Sequence, residues 1–195
     1  DTVETSIVGT YTVTYNVSDS NGNPAAQVTR TVSVVDTSVP VIALTGEPTV
    51  TIEVGATYTE QGATATDNYD TTLVVVVGGD TVETSIVGTY TVTYNVSDSN
   101  GNEAAQVTRT VSVVDTSVPV IALTGEPTVT IELGSTYTDQ GATATDNLDG
   151  DITSSIVEVP TVEPSIVGTY HVTYNVSASN ANPPSQLIRT VIMYD

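Results

Sequence analysis

The chain has 195 residues, with 3 Lys+Arg against 23 Asp+Glu and a formal net charge of -20, so its surface repels nucleic acid and anionic lipid. It has no lysine for Schiff-base chemistry, and no cysteine, which excludes disulfides and thiolate metal sites. No apolar run approaches the roughly 20 residues that span a bilayer, so we expect neither a nucleic-acid partner nor membrane insertion of this segment.

The first predicted elements form a β-hairpin. Residues 10–18 alternate strictly, with tyrosine and valine on one face and hydroxyl or amide side chains on the other, which predicts a half-buried strand. Asn21-Gly22 then predicts a turn, and residues 26–35 predict the second strand. Further short strands are predicted at residues 41–45, 50–54, 62–66 and 73–77. No helical period is present, so an all-β protein is expected.

The hairpin sequence is repeated. The stretch DTVETSIVGTYTVTYNVSDSNGN from residue 1 recurs without change from Asp80, a period of 79 residues. A third, divergent copy starts at Thr161, one residue late, because the stretch after Asp149 is longer than its counterpart after Asp70. About seven strands per 79 residues favour two-sheet sandwiches in tandem.

The stretch VVDTSVP, at residues 34–40 and 113–119, is the best linker signal, because an X-Pro step after a polar turn starts the next domain in extended geometry. We therefore predict domains at residues 36–114 and 115–195, the latter a candidate terminal unit. Residues 1–35 are the C-terminal part of a preceding domain and cannot close a sandwich alone. Two alternatives follow: a longer array, or completion by another chain.

Three stretches resemble a known family. They are D-T-S-V-P-V-I-A-L-T-G from Asp115, G-A-T-A-T-D-N-L-D-G-D-I from Gly141 and G-T-Y-T-V-T-Y-N-V-S-D-S-N-G-N from Gly88. They resemble bacterial immunoglobulin-like repeats, found in tandem in large surface proteins and adhesins and in some crystal toxins. The resemblance implies immunoglobulin-like sandwich domains at an extracellular or cell-surface location. It says little about a partner, because such domains mostly act as spacers.

Acidic loops are the candidate metal sites. Several carboxylates and an amide within one short loop are the hard oxygen ligands that Ca²⁺ takes in sets of six to eight. The candidate ligands are Asp115, Asp146, Asn147, Asp149 and Asp151 in the last domain, and Asp36, Asp67 and Asp70 in the one before it. The alternative is that Asp and Asn only form turns here. No cofactor is required by the sequence, and Ca²⁺ is the one candidate.

The segment Asp98-Ser99-Asn100-Gly101-Asn102 begins like a calcium-binding EF-hand loop but places its glycine too early. We therefore predict that it is only a hairpin turn.

The three Asn-Val-Ser sequons begin at Asn16, Asn95 and Asn175, and the alternation places them on the solvent face as candidate glycan acceptors. The alternative is chance occurrence.

The arginines fall on the apolar register of their strands, as in Val28, Arg30, Val32 and Val34. A buried guanidinium needs a carboxylate partner, so Arg30, Arg109 and Arg189 are predicted to form structural ion pairs, with ligand capture as the alternative. The alternation also places Tyr11 and Tyr15 on the apolar face of their strand. They are therefore predicted to be core tyrosines that hydrogen-bond nearby backbone.

Catalysis is not expected. The single histidine, His171, replaces the Thr91 of the preceding copy on the solvent face and belongs to no repeated site. The sequence favours a non-enzymatic stalk or fibre segment of a microbial surface protein, whose partners are neighbouring copies of the repeat or other chains of the same fibre. The alternatives are a calcium-dependent adhesion module for a glycan or protein, or a filament subunit assembled by strand complementation.

Overall fold

The computed structural model describes residues 2–180 and 182–195 and confirms the all-β prediction, with fifteen strands and one short 3-10 helix. Contact density divides the chain into two compact units, each built from several segments. The first comprises Asp1–Pro48, Gln61–Gly79 and Val92–Thr108, and the second Thr49–Glu60, Asp80–Thr91 and Arg109–Asp195. The domain boundaries near residues 36 and 115 stay predictions.

The first hairpin consists of β1, Gly9–Tyr15, and β2, Val28–Val34, paired antiparallel in a two-stranded sheet. Both strands are shorter than predicted because the chain leaves the ladder after Tyr15 and turns around Asp19. The N–H of Asp19 donates to the carbonyl of Asn23 (3.0 Å), and Gly22 has a φ of 86°, a conformation that favours glycine.

Six strands follow between residues 36 and 114. They are β3 Val41–Leu44, β4 Thr49–Glu53, β5 Ala63–Thr66, β6 Val76–Gly79, β7 Gly88–Asn95 and β8 Val107–Val114. They form a two-stranded sheet, β3-β5, and a four-stranded sheet ordered β4-β8-β7-β6. The strand β6 lies later than the predicted 73–77, because the run of valines there has no alternation that fixes its boundaries.

Residues 115–195 contain seven strands and the 3-10 helix Thr153–Ser155. The strands are β9 Val120–Leu123, β10 Thr128–Glu132, β11 Ala142–Asp146, β12 Gly150–Asp151, β13 Val157–Pro160, β14 Gly168–Val176 and β15 Ser185–Tyr194. They form the sheets β12-β11-β9 and β10-β15-β14-β13. The longer stretch after Asp149 contributes β12 and the helix, which have no counterpart among the strands of residues 36–114.

Two short strand pairs are parallel, a feature that the sequence did not indicate. Strand β4 pairs with β8 from Thr49↔Thr110 to Glu53↔Val114, and β10 pairs with β15 in the same way. A parallel pair requires a long crossover. Here the crossover consists of the intervening strands, so no helix is needed.

Alternate residues of β14 and β15 form the core of residues 115–195. Val172, Tyr174, Val191 and Met193 are buried, and partly buried residues of the other strands, such as Leu123, pack against them. The same alternation is found in β7 and β8, where Tyr94 and Val111 are fully buried.

The prediction that Tyr15 is a core residue was wrong. Tyr15 is 47% exposed and Val17 is 67% exposed. Only β1 and β2 are hydrogen-bonded in this sheet. A half-buried face requires a second layer, and the described residues leave these side chains uncovered.

Candidate functional site

Four carboxylates lie together after β2, β5 and β7. We call Asp36, Asp67, Asp70 and Asp98 the carboxylate cluster, because one oxygen of each lies within 4.8 Å of the others. Within residues 2–180 and 182–195, it is the one group of three or more such side chains that meets this distance. Three of its members were predicted calcium ligands, and Asp98 was predicted to be only a turn residue.

Each loop is fixed by hydrogen bonds to its own aspartate. Asp36 Oδ1 accepts the N–H of Ser38 (3.0 Å), and Asp67 Oδ1 accepts the N–H of Tyr69 (3.0 Å). Asp98 Oδ1 accepts the N–H groups of Asn100 (3.0 Å) and Asn102 (2.7 Å). These are the turns that Asp forms with the backbone that follows it, so the turn prediction and the cluster coexist at Asp98.

The turn after β7 is also tied to the other segments of the cluster. Ser99 donates its N–H and its hydroxyl to Asp70 Oδ2, both at 2.9 Å. Asn102 Nδ2 donates to the carbonyl of Asp36 (3.2 Å) and to Asp98 Oδ2 (2.7 Å). These donors are neutral groups, so they orient the carboxylates without neutralising their charge.

The corresponding positions of the last repeat are Asp115, Asp146, Asp149 and Ala178. Asn182 Nδ2 donates to Asp115 Oδ2 (3.0 Å), and Ser179 donates its N–H (2.7 Å) and its hydroxyl (2.6 Å) to Asp149. The fourth carboxylate is missing because alanine replaces Asp98.

Asp146 occupies the position of Asp67. Its Oδ1 accepts the N–H groups of Leu148 (3.0 Å) and Asp149 (3.1 Å). The residue is 9% exposed, and its Oδ2 is buried with no hydrogen-bond donor in the described part of the chain. A buried, unsatisfied carboxylate oxygen is costly unless a ligand is bound to it.

The other two predicted ligands of this repeat make different contacts. Asp151 lies on β12 opposite Thr145, and its Oδ1 accepts the N–H of Thr153 (2.9 Å). Asn147 Nδ2 donates to Glu53 Oε1 (3.1 Å).

Glu53, at the end of β4, accepts five hydrogen bonds, an arrangement that we call the linker clamp. The donors are the N–H and hydroxyl groups of Thr116 and Ser117, at 2.8 to 3.2 Å, and the amide of Asn147. The hydrogen bonds from Thr116 make the largest contribution to lowering the pKa of Glu53 to about 2. This contact was not predicted from the sequence.

Arg189 is buried in a network of hydrogen bonds. Its exposed fraction is 1%, and Nη1 donates to Asp139 Oδ1 (2.6 Å) while Nε donates to the carbonyl of Glu126 (3.1 Å). The hydroxyls of Tyr137 and Tyr174 also donate to Asp139. Burial opposes ionisation of Asp139, but these hydrogen bonds together lower its pKa to about 2.

Arg109 is equally buried and pairs with Glu60. Arg30 is exposed instead, with its guanidinium 5.8 Å from the centre of the Tyr15 ring. The three arginines therefore have two different environments.

The sequon asparagines each accept a cross-strand hydrogen bond from a glutamine. Gln27 Nε2 donates to Asn16 Oδ1 (3.0 Å), and the pairs Gln106–Asn95 and Gln186–Asn175 are the same at 2.9 Å. Asn16 and Asn95 are exposed and Asn175 is half-buried. Glycosylation at these residues stays a prediction.

Residues 1–34, 42–113 and 121–193 match the family described as bacterial surface protein, Ig-like domain. The chain belongs to this family. The match confirms the resemblance predicted from the sequence. Such Ig-like surface repeats are typically non-enzymatic. His171 is exposed on β14.

The relatives of this Ig-like surface chain are longer proteins. It is 34% identical over 219 residues to hyalin of Lytechinus variegatus, covering 94% of this chain and 41% of hyalin. It is 33% identical over 180 residues to an uncharacterized 81.3 kDa protein of Acholeplasma phage L2, covering 86% of this chain and 24% of that protein. The chain thus spans less than half the length of either relative.

A solved structure of the Protocadherin GammaB4 extracellular domain aligns with 100% of this chain and 39% of its own, at 13% identity and a TM-score of 0.37. Among the described residues, no helix has the length and apolar character needed to cross a membrane.

Proposed function

We propose that this chain is a non-enzymatic structural segment of an extracellular stalk or fibre on a microbial surface. Its family of surface domains and its near-identical repeats support this role. The observation that carries the proposal is the linker clamp, because Thr116 and Ser117 belong to the predicted linker between domains.

A flexible linker has many conformations, and a stalk loses reach when its joints bend freely. Four hydrogen bonds to one carboxylate restrict the linker at Thr116 and Ser117. The net charge of -20 adds repulsion between adjacent parts of an acidic array, within the reach that salt screening leaves, and favours its extended form. In this proposal, the function of the segment is to give the stalk its length and its stiffness.

The clamp can be tested with a matched pair of variants, Glu53→Ala and Glu132→Ala. Glu132 ends β10 in the same Thr-Val-Thr-Ile-Glu context in which Glu53 ends β4. We expect hydrogen exchange at the amides of Thr116 and Ser117 to accelerate in Glu53→Ala and to stay unchanged in Glu132→Ala. X-ray scattering should report more bent conformations for Glu53→Ala alone. Equal exchange and scattering in both variants would remove the clamp as the source of stiffness.

A second candidate function, a filament subunit assembled by strand complementation, is favoured by one observation. On this face of β1–β2, Tyr15 is exposed and Val32 is half-buried, whereas their counterparts in β7–β8, Tyr94 and Val111, are fully buried. Within the described residues β1–β2 forms a sheet of its own, and in this candidate function another copy of the stretch equivalent to residues 41–79 covers it.

This candidate predicts binding in trans. A separate polypeptide with the sequence of residues 36–79 should bind the chain and protect the amides of β1 and β2 from exchange. The control polypeptide carries Ile42→Asp and Ile52→Asp, which place charges on two partly buried strand positions. Protection by both polypeptides, or by neither, would argue against complementation.

A further inference from the structure

The carboxylate cluster lacks a positive charge of its own. The chain has three arginines and no lysine. Arg109 and Arg189 pair with Glu60 and Asp139, and Arg30 lies over the ring of Tyr15. Carboxylates at this separation repel one another when ionised, and the neutral donors around them leave that repulsion in place. A cation bound from solution would therefore reduce the repulsion among the four carboxylates.

A second observation comes from the next repeat. Asp146, the counterpart of Asp67, makes the same turn contacts through Oδ1 but leaves its buried Oδ2 without a donor in the described residues. At the equivalent position Asp67 contributes an oxygen to the cluster. An oxygen held away from water and from donors is typical of a ligand position.

The four carboxylate ligands suit Ca²⁺. Calcium takes six to eight oxygens at about 2.3–2.6 Å, so ligands on opposite sides of the ion are roughly 4.8 Å apart. The cluster oxygens all lie within 4.8 Å of one another, which is close enough for one such ion to contact all four. Mg²⁺ requires a tighter octahedron at about 2.1 Å and keeps most of its waters, so it suits a site built from four carboxylates less well.

We propose that Asp36, Asp67, Asp70 and Asp98 bind one Ca²⁺, and that the matching position of the last repeat binds it weakly because Ala178 replaces the fourth carboxylate. The bound ion joins the segment after β2 to the loop after β5 and the turn after β7. This proposal does not rest on the proposed stalk role, because all four ligands lie within residues 36–114.

The chain offers a matched test of the ligand Asp98. Asp98→Asn keeps the oxygen that accepts the N–H groups of Asn100 and Asn102 but removes one negative charge. Asp19→Asn is the control. Asp19 makes the same contacts with Asn21 and Asn23 in the identical turn after β1, outside the cluster.

The measurement is titration of the full chain, stripped with a chelator, with CaCl₂ in a calorimeter. We expect one strong site in the unaltered chain and in Asp19→Asn, and an affinity at least about tenfold lower in Asp98→Asn, since the number of charged ligands sets calcium affinity. Thermal unfolding should show a calcium-dependent rise that Asp98→Asn reduces and Asp19→Asn retains.

The reverse change, Ala178→Asp, supplies the missing carboxylate. It should add a second strong site per chain, and its folding in the presence of Ca²⁺ can be checked by circular dichroism. Three results would each overturn the proposal: no binding by the unaltered chain at millimolar Ca²⁺, equal losses in Asp98→Asn and Asp19→Asn, or a folded Ala178→Asp variant with no added site.

Discussion

The hairpins β1–β2 and β7–β8 have almost the same sequence but different surroundings. Residues 1–23 and 80–102 are identical, yet Tyr15 is 47% exposed and its counterpart Tyr94 is 0% exposed. Arg30 is exposed, whereas Arg109 is buried against Glu60. One chain therefore contains the same strands with and without a covering layer.

What the two hairpins share is local. The hydroxyls of Tyr11 and Tyr90 both donate to the carbonyl four residues earlier, at 2.9 and 3.0 Å. Asp19 and Asp98 organise the same turn. Turn and strand pairing thus follow from the hairpin sequence itself, and burial of its apolar face depends on residues elsewhere.

The largest difference between the hairpins should appear at the tyrosines. Tyr94→Ala removes a fully buried ring and should lower the free energy of unfolding by about 3–5 kcal/mol. Tyr15→Ala removes an exposed ring from the same sequence and should change it by less than about 0.5 kcal/mol. Urea unfolding followed by circular dichroism measures both.

A comparable loss in both tyrosine variants would mean that β1–β2 is covered in solution, for example by another copy of the repeat. Sedimentation of the unaltered chain would then detect that association.

The arginines provide the next comparison. Arg109→Ala leaves the carboxylate of Glu60 without its ionic partner, next to the apolar core. We expect a loss of about 3 kcal/mol, at the low end for a broken buried pair because Glu60 keeps some contact with water. Arg30→Ala, in the same Thr-Arg-Thr-Val context, should cost under about 0.5 kcal/mol. Similar losses at both positions would contradict the assignment of different environments.

The buried ion pair of Asp139 and Arg189 should make the stability of the last repeat depend on acid pH. The folded pKa of Asp139, about 2, lies below the ordinary value of 3.8, so its ionised form stabilises the fold. That contribution is complete above about pH 4 and is lost as the pH falls through the folded pKa, a change of ~2 kcal/mol. Asp139→Asn should unfold more easily at neutral pH and lose this part of the pH dependence. Equal acid dependence in the variant would assign it to other carboxylates.

Strand alternation was predictable from the sequence because its period of two specifies which side chains share a face. The predicted strands at residues 10–18, 26–35 and 41–45 overlap β1, β2 and β3. Alternation carries no information about whether a second sheet lies over that face, so Tyr15 was misplaced. It also does not specify strand order, so the short parallel pair of β4 and β8 was missed.

The candidate site was predictable in part. Asp36, Asp67 and Asp70 were found because each follows a strand in a polar loop, where oxygen ligands collect. Asp98 was missed because its role in the turn accounted for it fully in local terms. The available signal was the difference between copies, since the position that has Asp19 and Asp98 has Ala178 in the divergent repeat. Glu53 was missed because its partners lie over 60 residues away.

The smallest expected effect is at the cross-strand glutamines, and it tests most directly whether strand pairing is independent of burial. Gln27 and Gln106 are both exposed, and each donates to the asparagine that ends the facing segment, at 3.0 and 2.9 Å. Such a pair contributes about 0.2–1 kcal/mol and lies within the hairpin, so it needs no second layer. Gln27→Ala and Gln106→Ala should therefore accelerate amide exchange in their own strands by similar factors. An effect confined to Gln106→Ala would mean that the strands of the hairpin pair stably only when a second sheet covers them. It would contradict the inference that strand pairing is set by the hairpin sequence alone.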